Sequence, residues 1–479
     1  MDTRKEHDFL GELEIPNTAY YGVQTMRALA NFPITGYTIH PELIRAMAIV
    51  KKSAAQANAA THQLKPSVAD VIIEACDEII AGKWHDQFVV DPIQGGAGTS
   101  INMNTNEVIA NRALEILGYD KGRFDIISPN NHVNMAQSTN DSFPTAIHIA
   151  AHAMIQKLGK TMKKMKDTFV AKSVEFDDIV KMGRTHLQDA VPIRLGQEFE
   201  AYASVVGRDI TRIKKAQESL LTVNLGATAI GTGLNADLEY RELAINFLRK
   251  NANYPFALAQ NLIDGTQNTD VYTEVSSVLK VCMLNMSKIA NDIRMMASGP
   301  TAGLGELILP ARQPGSSIMP GKVNPVMLEV MNQVAFQVAG NDLTISMASE
   351  AGQFELNVME PVLVYNLLQS LQIMDNVFEV FTEYCLKDIK ANKERLLAYV
   401  ENSIGIITAV SPYIGYESSS RIAREALATG KSVRQLCVEY GHFTPEEIDK
   451  ILSPYGLTTP GISGDLAKYR AEHNVDGLK

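Results

Sequence analysis

Apolar residues recur at helical intervals along the middle of the chain. One stripe consists of Met154, Leu158, Met162, Met165 and Phe169. A second consists of Phe199, Tyr202, Val206, Ile210 and Ile213. Steps of three and four residues place such side chains on one face of a helix, because an α-helix turns once every ~3.6 residues. The sequence therefore predicts two long amphipathic helices.

Two later stretches, 272–296 and 361–381, are apolar on more than one face. A helix with this pattern is buried among other helices, and ~25 helical residues measure ~38 Å. Strand patterns between the long stretches are few. We therefore expect a mainly α protein with an elongated central bundle, which buries its remaining apolar faces against copies of itself.

The segments on either side of the bundle predict smaller domains. Helices are expected over 42–60 and 67–80, and shorter capped helices follow residue 395. Capping boxes are expected at Thr444 and Ser432, a helix end at Gly430, and fraying over 463–479. We predict an N-terminal mixed, mostly helical domain (1–139), a central long-helix domain (140–394) and a small C-terminal helical domain (395–479).

The composition is that of a soluble globular protein. The 479 residues are 46% hydrophobic and 20% charged, and the net charge of −10 argues against nucleic acid or an anionic membrane as partner. No secretion signal or membrane span is expected. Four widely spaced cysteines predict reduced thiols and favour a cytoplasmic location: Cys76, Cys282, Cys385 and Cys437.

The stretch from Gly315 to Pro325 carries the clearest candidate chemistry. It reads G-S-S-I-M-P-G-K-V-N-P and combines two hydroxyls, an ammonium group and a carboxamide. Its glycines and prolines favour a hinged loop, on which Lys322 and Asn324 point the same way and suit one carboxylate. The P-loop hydroxyl is replaced by Val323, and Ser316 fits no hydrolase motif, so nucleotide hydrolysis and acyl transfer are disfavoured.

Three other clusters are rich in neutral donors. The glycine-rich turn 95–100 suits an anion, and the run 137–141 is either a helix N-cap or a second donor set. Thr185 stands beside His186, although a lone histidine is more often structural than catalytic. His186 and Asp189 have a helical spacing, but no further metal-ligand pattern joins them, so no transition metal is expected. His132 is a candidate for an accessory activating site.

The loop 315–325 resembles the signature loop of the aspartase/fumarase superfamily, whose members eliminate a group from a substrate and leave fumarate. The resemblance extends to about residue 460 and includes segments 14–16, 20–25, 95–106, 137–145, 183–200, 224–235 and 352–361. Gly321 and Val323 disfavour argininosuccinate and adenylosuccinate lyases. At Thr139 and at the pair Tyr20 and Tyr21 the chain resembles the members that release ammonia from L-aspartate more than it resembles fumarases, and this resemblance implies that reaction. A class II fumarate hydratase and a catalytically silent, carboxylate-binding relative remain as alternatives.

The resemblance implies a role for each polar residue. Ser316 is implied as general base, and the donors to an aci-carboxylate intermediate are implied to be Thr99, Ser138, Thr139 and Ser317. The second carboxylate is implied to contact Thr185, Lys322 and Asn324, and the amino group Asn140 and His186. The remaining residues of the lid are Gly315, Ile318, Met319, Pro320, Gly321, Val323 and Pro325.

The resemblance also implies an assembly. We expect a three-domain aspartase/fumarase-like fold whose long helices form the core of a homotetramer, with each site shared by three subunits. The implied ligand is a small dicarboxylate. No cofactor is expected to be required, and activation by a divalent cation is left open.

Overall fold

The computed structural model describes residues 2–473, which are mainly α-helical. The first elements are β1 (Thr3–Asp8), β2 (Gly11–Pro16), α1 (Val23–Asn31), α2 (Pro41–Ala60), α3 (Pro66–Ile80), α4 (Thr99–Ile116) and α5 (Thr139–Glu175). The next are β3 (Val180–Thr185), β4 (Gln188–Arg194), α6 (Leu195–Ser219), β5 (Thr222–Val223), α7 (Tyr240–Ala252), β6 (Ala257–Leu258), α8 (Asp264–Gln267) and α9 (Asp270–Met296). The last are β7 (Leu307–Ile308), α10 (Val326–Glu350), α11 (Glu360–Tyr384), β8 (Lys390–Ala391), α12 (Lys393–Glu401), α13 (Ile407–Thr429), α14 (Val433–Glu439), α15 (Pro445–Ile451), α16 (Pro454–Thr458) and α17 (Leu466–His473).

The described residues divide into two compact units, each assembled from several chain segments. Unit 1 consists of residues 2–161, 209–284 and 334–376. Unit 2 consists of residues 162–208, 285–333 and 377–473. The division into segments 1–139, 140–394 and 395–479 stays a prediction.

The long helices confirm the mainly α prediction. Helix α5 has 37 residues, α9 has 27, and α6, α10 and α11 have 25 each. The first predicted stripe lies buried on α5, where Leu158, Met162 and Phe169 are fully inaccessible. The stripe from Leu363 to Phe381 is likewise buried on α11. Apolar periodicity therefore identified the core-facing sides of these helices correctly.

Capping residues set several helix ends as expected. Helix α2 begins one residue before the prediction, at Pro41, because the His40 ring accepts a hydrogen bond from the Glu42 N–H (3.1 Å). Both predicted capping boxes are present, at Ser432 and at Thr444. The predicted fraying over 463–479 falls partly on α17, which is helical, and partly on residues outside the described range.

Two β-hairpins are features that the sequence prediction missed. Strands β1 and β2 pair antiparallel, and so do β3 and β4, where Thr185 pairs with Gln188. His186 and Leu187 form the turn of the second hairpin, with φ angles of 55° and 61°, as a tight two-residue turn requires. The helical interpretation of the spacing between His186 and Asp189 was therefore wrong.

No helix within residues 2–473 is long and apolar enough to cross a membrane. The four cysteines are all free and buried. They are therefore core thiols, as predicted from their spacing.

Candidate active site

The turn before α4 places Thr99 on the surface of unit 1. Gly96, Ala97 and Gly98 all have positive φ, and Thr99 is the first residue of the helix. A Cβ on Gly98 would lie 2.4 Å from the Phe143 ring, so only glycine fits there. The Thr99 hydroxyl donates to the Gly96 carbonyl oxygen (2.7 Å). The turn therefore presents an exposed hydroxyl beside the N-terminal N–H groups of α4, which suit an anion.

The start of α5 forms the second part of this surface. The Ser138 hydroxyl accepts from the Asn140 N–H (3.2 Å), and the Asp141 carboxylate accepts from the Ser138 N–H (2.9 Å). The run 137–141 is thus a helix N-cap. The buried Thr139 hydroxyl accepts from the Asn102 amide on α4 (3.2 Å). This bond ties the helix that begins at Thr99 to the helix that begins at Thr139.

Residues 224–229 form a third segment, which contacts the start of α5. The Asp141 carboxylate accepts from the N–H groups of Gly226 and Thr228, both at 3.0 Å. The Asn140 amide donates to the Ala229 carbonyl oxygen (2.7 Å). Burial raises the pKa of Asp141 to about 6, against the effect of its backbone hydrogen bonds. Three of the segments that the sequence singled out are therefore brought together in unit 1.

Lys51 is a buried lysine beside these segments that the sequence analysis did not single out. It lies fully buried on α2, and its ammonium donates to the amide oxygens of Asn102 (2.6 Å), Asn134 (3.0 Å) and Gln137 (2.9 Å). Burial lowers the pKa of Lys51 to about 7. Because Asn102 contacts Thr139 and Gln137 precedes Ser138, Lys51 holds groups next to both hydroxyls. A lysine in an amphipathic helix gives no sequence signal for this role.

Unit 2 holds the other predicted residues, beginning with the β3–β4 hairpin. Thr185 and His186 are exposed at its tip. The base of β3 is anchored by buried ion pairs from Lys181 to Glu306 (3.0 Å) and to Glu198 (2.9 Å). Arg184 also pairs with Glu306 (2.7 Å). A rigid base thus presents a hydroxyl and an imidazole to solvent.

The lid loop of unit 2 is closed at its ends by two hydrogen bonds. The Gly315 N–H donates to the Lys322 carbonyl oxygen (2.8 Å), and the Asn324 amide donates to the Gly315 carbonyl oxygen (2.8 Å). Asn324 therefore fixes the loop in this structure. Ser317 and Lys322 are exposed. The exposed lid residues also include Ile318, Met319, Pro320, Gly321 and Val323, whereas Pro325 is half-buried.

The Ser316 hydroxyl oxygen accepts two hydrogen bonds from the loop backbone. The donors are the N–H groups of Ile318 (3.2 Å) and Met319 (3.1 Å). Two N–H dipoles aimed at one oxygen stabilise negative charge on it. The loop backbone would therefore stabilise an alkoxide on Ser316.

The predicted site residues are thus divided between the two units. Unit 1 contains Thr99, Ser138, Thr139 and Asn140, and unit 2 contains Thr185, His186, Ser316, Ser317, Lys322 and Asn324. The His132 Nδ1 accepts a hydrogen bond from the Ser128 N–H (2.9 Å), and burial lowers the pKa of His132. Its assignment to an accessory site stays a prediction. No cluster of three His, Cys, Asp or Glu side chains within residues 2–473 has the geometry of a metal site.

Comparison with known proteins defines the class to which this arrangement belongs. Residues 11–340 match the family described as Lyase, and residues 406–459 match the family described as Fumarase C C-terminus. The chain belongs to this lyase family, the aspartase/fumarase superfamily.

Relatives with high sequence identity to this chain share one enzyme name within the superfamily. A protein named aspartate ammonia-lyase from Bacillus sp. is 66% identical over 97% of this chain and 99% of its own length. Proteins of the same name from Bacillus subtilis and Escherichia coli are 64% and 49% identical, over 96% and 99% of this chain and 97% and 98% of their own lengths.

Solved structures confirm the fold. A fumarate lyase:delta crystallin from Brucella melitensis bound to cobalt superimposes with a TM-score of 0.93 at 46% identity, over 96% of this chain and 100% of its own. A class II fumarase from Schistosoma mansoni gives a TM-score of 0.90 at 33% identity, with the same coverage.

Proposed function

We propose that the chain is an aspartate ammonia-lyase, which converts L-aspartate reversibly to fumarate and ammonia. The observation that carries the proposal is the 66% identity to a relative of that name along nearly the whole of both chains. The site chemistry agrees with it. Hydroxyls, amides and one lysine, with no carboxylate among the predicted contacts, suit a dicarboxylate substrate.

The difficult step is removal of a proton from the carbon beside the side-chain carboxylate. The resulting aci-carboxylate carries a second negative charge, and each pre-aimed donor to it contributes ~3 kcal/mol. Thr99, Ser138, Thr139 and Ser317 are proposed as these donors. Three or four such donors supply on the order of 10 kcal/mol, although their contributions do not add independently.

Binding of the rest of the substrate is proposed to use the remaining residues. Thr185, Lys322 and Asn324 hold the second carboxylate, and Asn140 and His186 face the amino group. Asn324 already donates to Gly315, so it has one amide hydrogen left for substrate. Closure of the lid excludes water and prevents reprotonation of the intermediate.

Ser316 is proposed as the general base. An alcohol is a weak base near neutrality, so its alkoxide must be stabilised before it accepts a proton. The backbone donors from Ile318 and Met319 support this role, because both point at the Ser316 oxygen. In the forward direction the proton moves from Cβ to Ser316, and ammonia leaves from the neighbouring carbon.

One assay of fumarate formation tests both the proposed substrate and the proposed general base. Wild-type protein is expected to form fumarate from L-aspartate, followed by absorbance, and Ser316→Ala is expected to lower kcat by about 1,000-fold or more while dicarboxylate binding persists. Fumarate from L-malate but not from L-aspartate would instead identify a hydratase. Unchanged turnover in Ser316→Ala would remove that residue from the mechanism.

The working assembly is proposed to be a homotetramer with each site built from three subunits. The exposure of Thr99, Thr185 and the lid in the single chain supports sites completed by other copies. On α10, Phe336, Leu343 and Met347 are 68%, 63% and 65% exposed, which is an apolar face suited to another helix.

Subunit sharing is tested by complementation. Inactive Thr185→Ala and Ser316→Ala proteins are dissociated, mixed and reassembled. Some mixed sites then contain neither substitution, so activity is expected to return. Reassembly of either variant alone is the control, and mixed tetramers without activity would argue against shared sites.

Two further properties remain part of the proposal. The reaction is proposed to need no cofactor, and assays with magnesium or with a chelator test whether a divalent cation activates it. The four reduced thiols support a cytoplasmic location.

A further inference from the structure

A cavity of about 160 Å³ lies in unit 1 next to the start of α5. Thr145 and His148 of α5 line it, together with Asn224, Tyr272 and Glu360. This volume is large enough to hold water or a small ion. The mechanism proposed above uses none of the ionisable side chains that line this cavity.

Glu360 is the unusual group in this cavity. It is the first residue of α11 and is only 2% exposed, and its Oε2 has no hydrogen-bond partner among the described residues. A buried carboxylate is costly unless it is protonated or paired with a cation. Burial raises the pKa of Glu360 to about 8. The structure thus holds a buried carboxyl oxygen without a partner on a residue that lines the cavity.

The rest of the lining favours a cation as that partner. Two further acids, Asp264 and Asp270, are exposed at the cavity, and neither lysine nor arginine contributes to the described lining. His148 is neutral at pH 7, because burial lowers its pKa to about 4. An adjoining groove shares Asp270 and adds Glu274 and Glu350, again without a basic residue in its described lining. Acidic walls attract cations.

One hydrogen-bonded residue links the cavity to the proposed site. The Asn224 amide donates to the Asn140 carbonyl oxygen (3.0 Å), and the Thr145 hydroxyl donates to the Asn224 side-chain oxygen (3.5 Å). Asn140 is the residue proposed to face the substrate amino group. The cavity is therefore joined through Asn224 to a residue that is proposed to face the substrate amino group.

We propose that this cavity binds the ammonium ion that the reaction releases or consumes, with Glu360 as its counter-ion. The inference rests on the proposed ammonia-lyase activity. When Glu360 carries its proton, ammonia takes it: the carboxyl O–H bond breaks, a fourth N–H bond forms, and an ammonium–carboxylate pair remains. The groove bearing Asp270, Glu274 and Glu350 provides the route to solvent.

Ammonium fits this lining better than a divalent metal ion. It has four N–H donors and needs several acceptors without strict geometry, which hydroxyls, an amide oxygen and a carboxylate supply. A divalent cation such as Mg²⁺ needs close, near-octahedral oxygen ligands. No group of three acidic, histidine or cysteine ligands with that geometry occurs in the part of the chain that the structure describes.

Thallium(I), a heavy monovalent cation, is the direct probe. Crystals of the wild-type protein are soaked in thallium(I) acetate, and an anomalous peak is expected in the cavity, about 3 Å from the Glu360 carboxylate. Excess ammonium chloride is expected to remove that peak. A cavity that contains only water after the soak would overturn the proposal. This readout needs no turnover, so it stands apart from the assay of fumarate formation that tests the proposed function.

Kinetics in the direction of amination provide the second test. With fumarate saturating, Glu360→Gln is expected to raise the KM for ammonium about tenfold or more and to leave the KM for fumarate within about twofold. Glu379→Gln is the matched control, because Glu379 is an exposed acid that pairs with Lys164 (2.9 Å) outside the cavity. An unchanged ammonium KM in Glu360→Gln, or an equal change in Glu379→Gln, would refute the role of Glu360. If Glu360→Gln does not fold, the thallium soak decides alone.

Discussion

Replacing Lys51 tests whether a buried charge holds the donors of unit 1 in place. Lys51→Met keeps the length of the side chain but removes three hydrogen bonds to amide oxygens. Asn102 Oδ1 still accepts from Ser142 (3.3 Å), and Asn134 Oδ1 still accepts from Asn102 (3.2 Å). Gln137 Oε1 alone loses the donor that the structure gives it.

The expected loss of stability follows from the number of buried acceptors that are left without a donor. One buried acceptor without a donor costs about 1–3 kcal/mol, and removal of a buried charge offsets part of this. We therefore expect the free energy of unfolding to fall by about 2 kcal/mol. Because Gln137 precedes Ser138, the donors also shift, and displacement of about 1 Å costs roughly 100-fold in kcat/KM.

The assay pairs urea unfolding at one protein concentration with the kcat/KM for L-aspartate. Lys52→Met is the matched control, since Lys52 pairs with the half-exposed Asp77 (2.6 Å) and such a pair contributes at most about 1 kcal/mol. Equal losses in both variants, or an unchanged kcat/KM in Lys51→Met, would refute the positioning role.

Two other predictions concern the backbone and pH. Gly98→Ala is expected to lower the free energy of unfolding by about 2 kcal/mol or more, because φ is +90° and the new Cβ meets the Phe143 ring. Gly430→Ala, at φ +71° but with open space around the new Cβ, is expected to lower it by about 1 kcal/mol. Thermal unfolding compares the two variants, and equal losses would contradict the steric argument. The folded-state pKa of Glu360 is raised from 4.5 to about 8, so its protonation stabilises the fold fully below pH 4.5 and this contribution is lost as the pH rises to 8. The stability of wild type relative to Glu360→Gln is therefore expected to fall across that window in urea titrations, and a flat difference would contradict the burial of a titrating carboxyl.

Much of the helical architecture could be predicted from the sequence. The stripes on α5 and α11 repeat at the helical period because one face of each helix packs against a core, and local caps at Ser432 and Thr444 fix helix starts without tertiary information. Helix α10 was not singled out, because Phe336 and Leu343 make its exposed side apolar as well. Apolar residues on both sides obscure the helical repeat in the sequence.

Buried charges explain most of what the sequence could not predict. Lys181 lies on β3 between Glu198 and Glu306, and the charges of Lys181 and Arg184 interrupt the apolar pattern of this short strand. The sequence likewise gives no sign that Lys51 and Glu360 are buried, because a charged residue in an amphipathic helix normally faces solvent. Roles for Thr99, Ser138 and Lys322 came from family resemblance, because donor loops have no periodicity of their own.

The central claim is that neutral donors and one lysine from separate parts of the fold bind one dicarboxylate. The most direct measurement is a crystal structure of the assembled protein with bound succinate. The account predicts Thr99, Ser138 and Lys322, from whichever subunits supply them, each about 3 Å from the same succinate. Succinate bound elsewhere, with these three residues tens of ångströms apart in every assembled pocket, would contradict it.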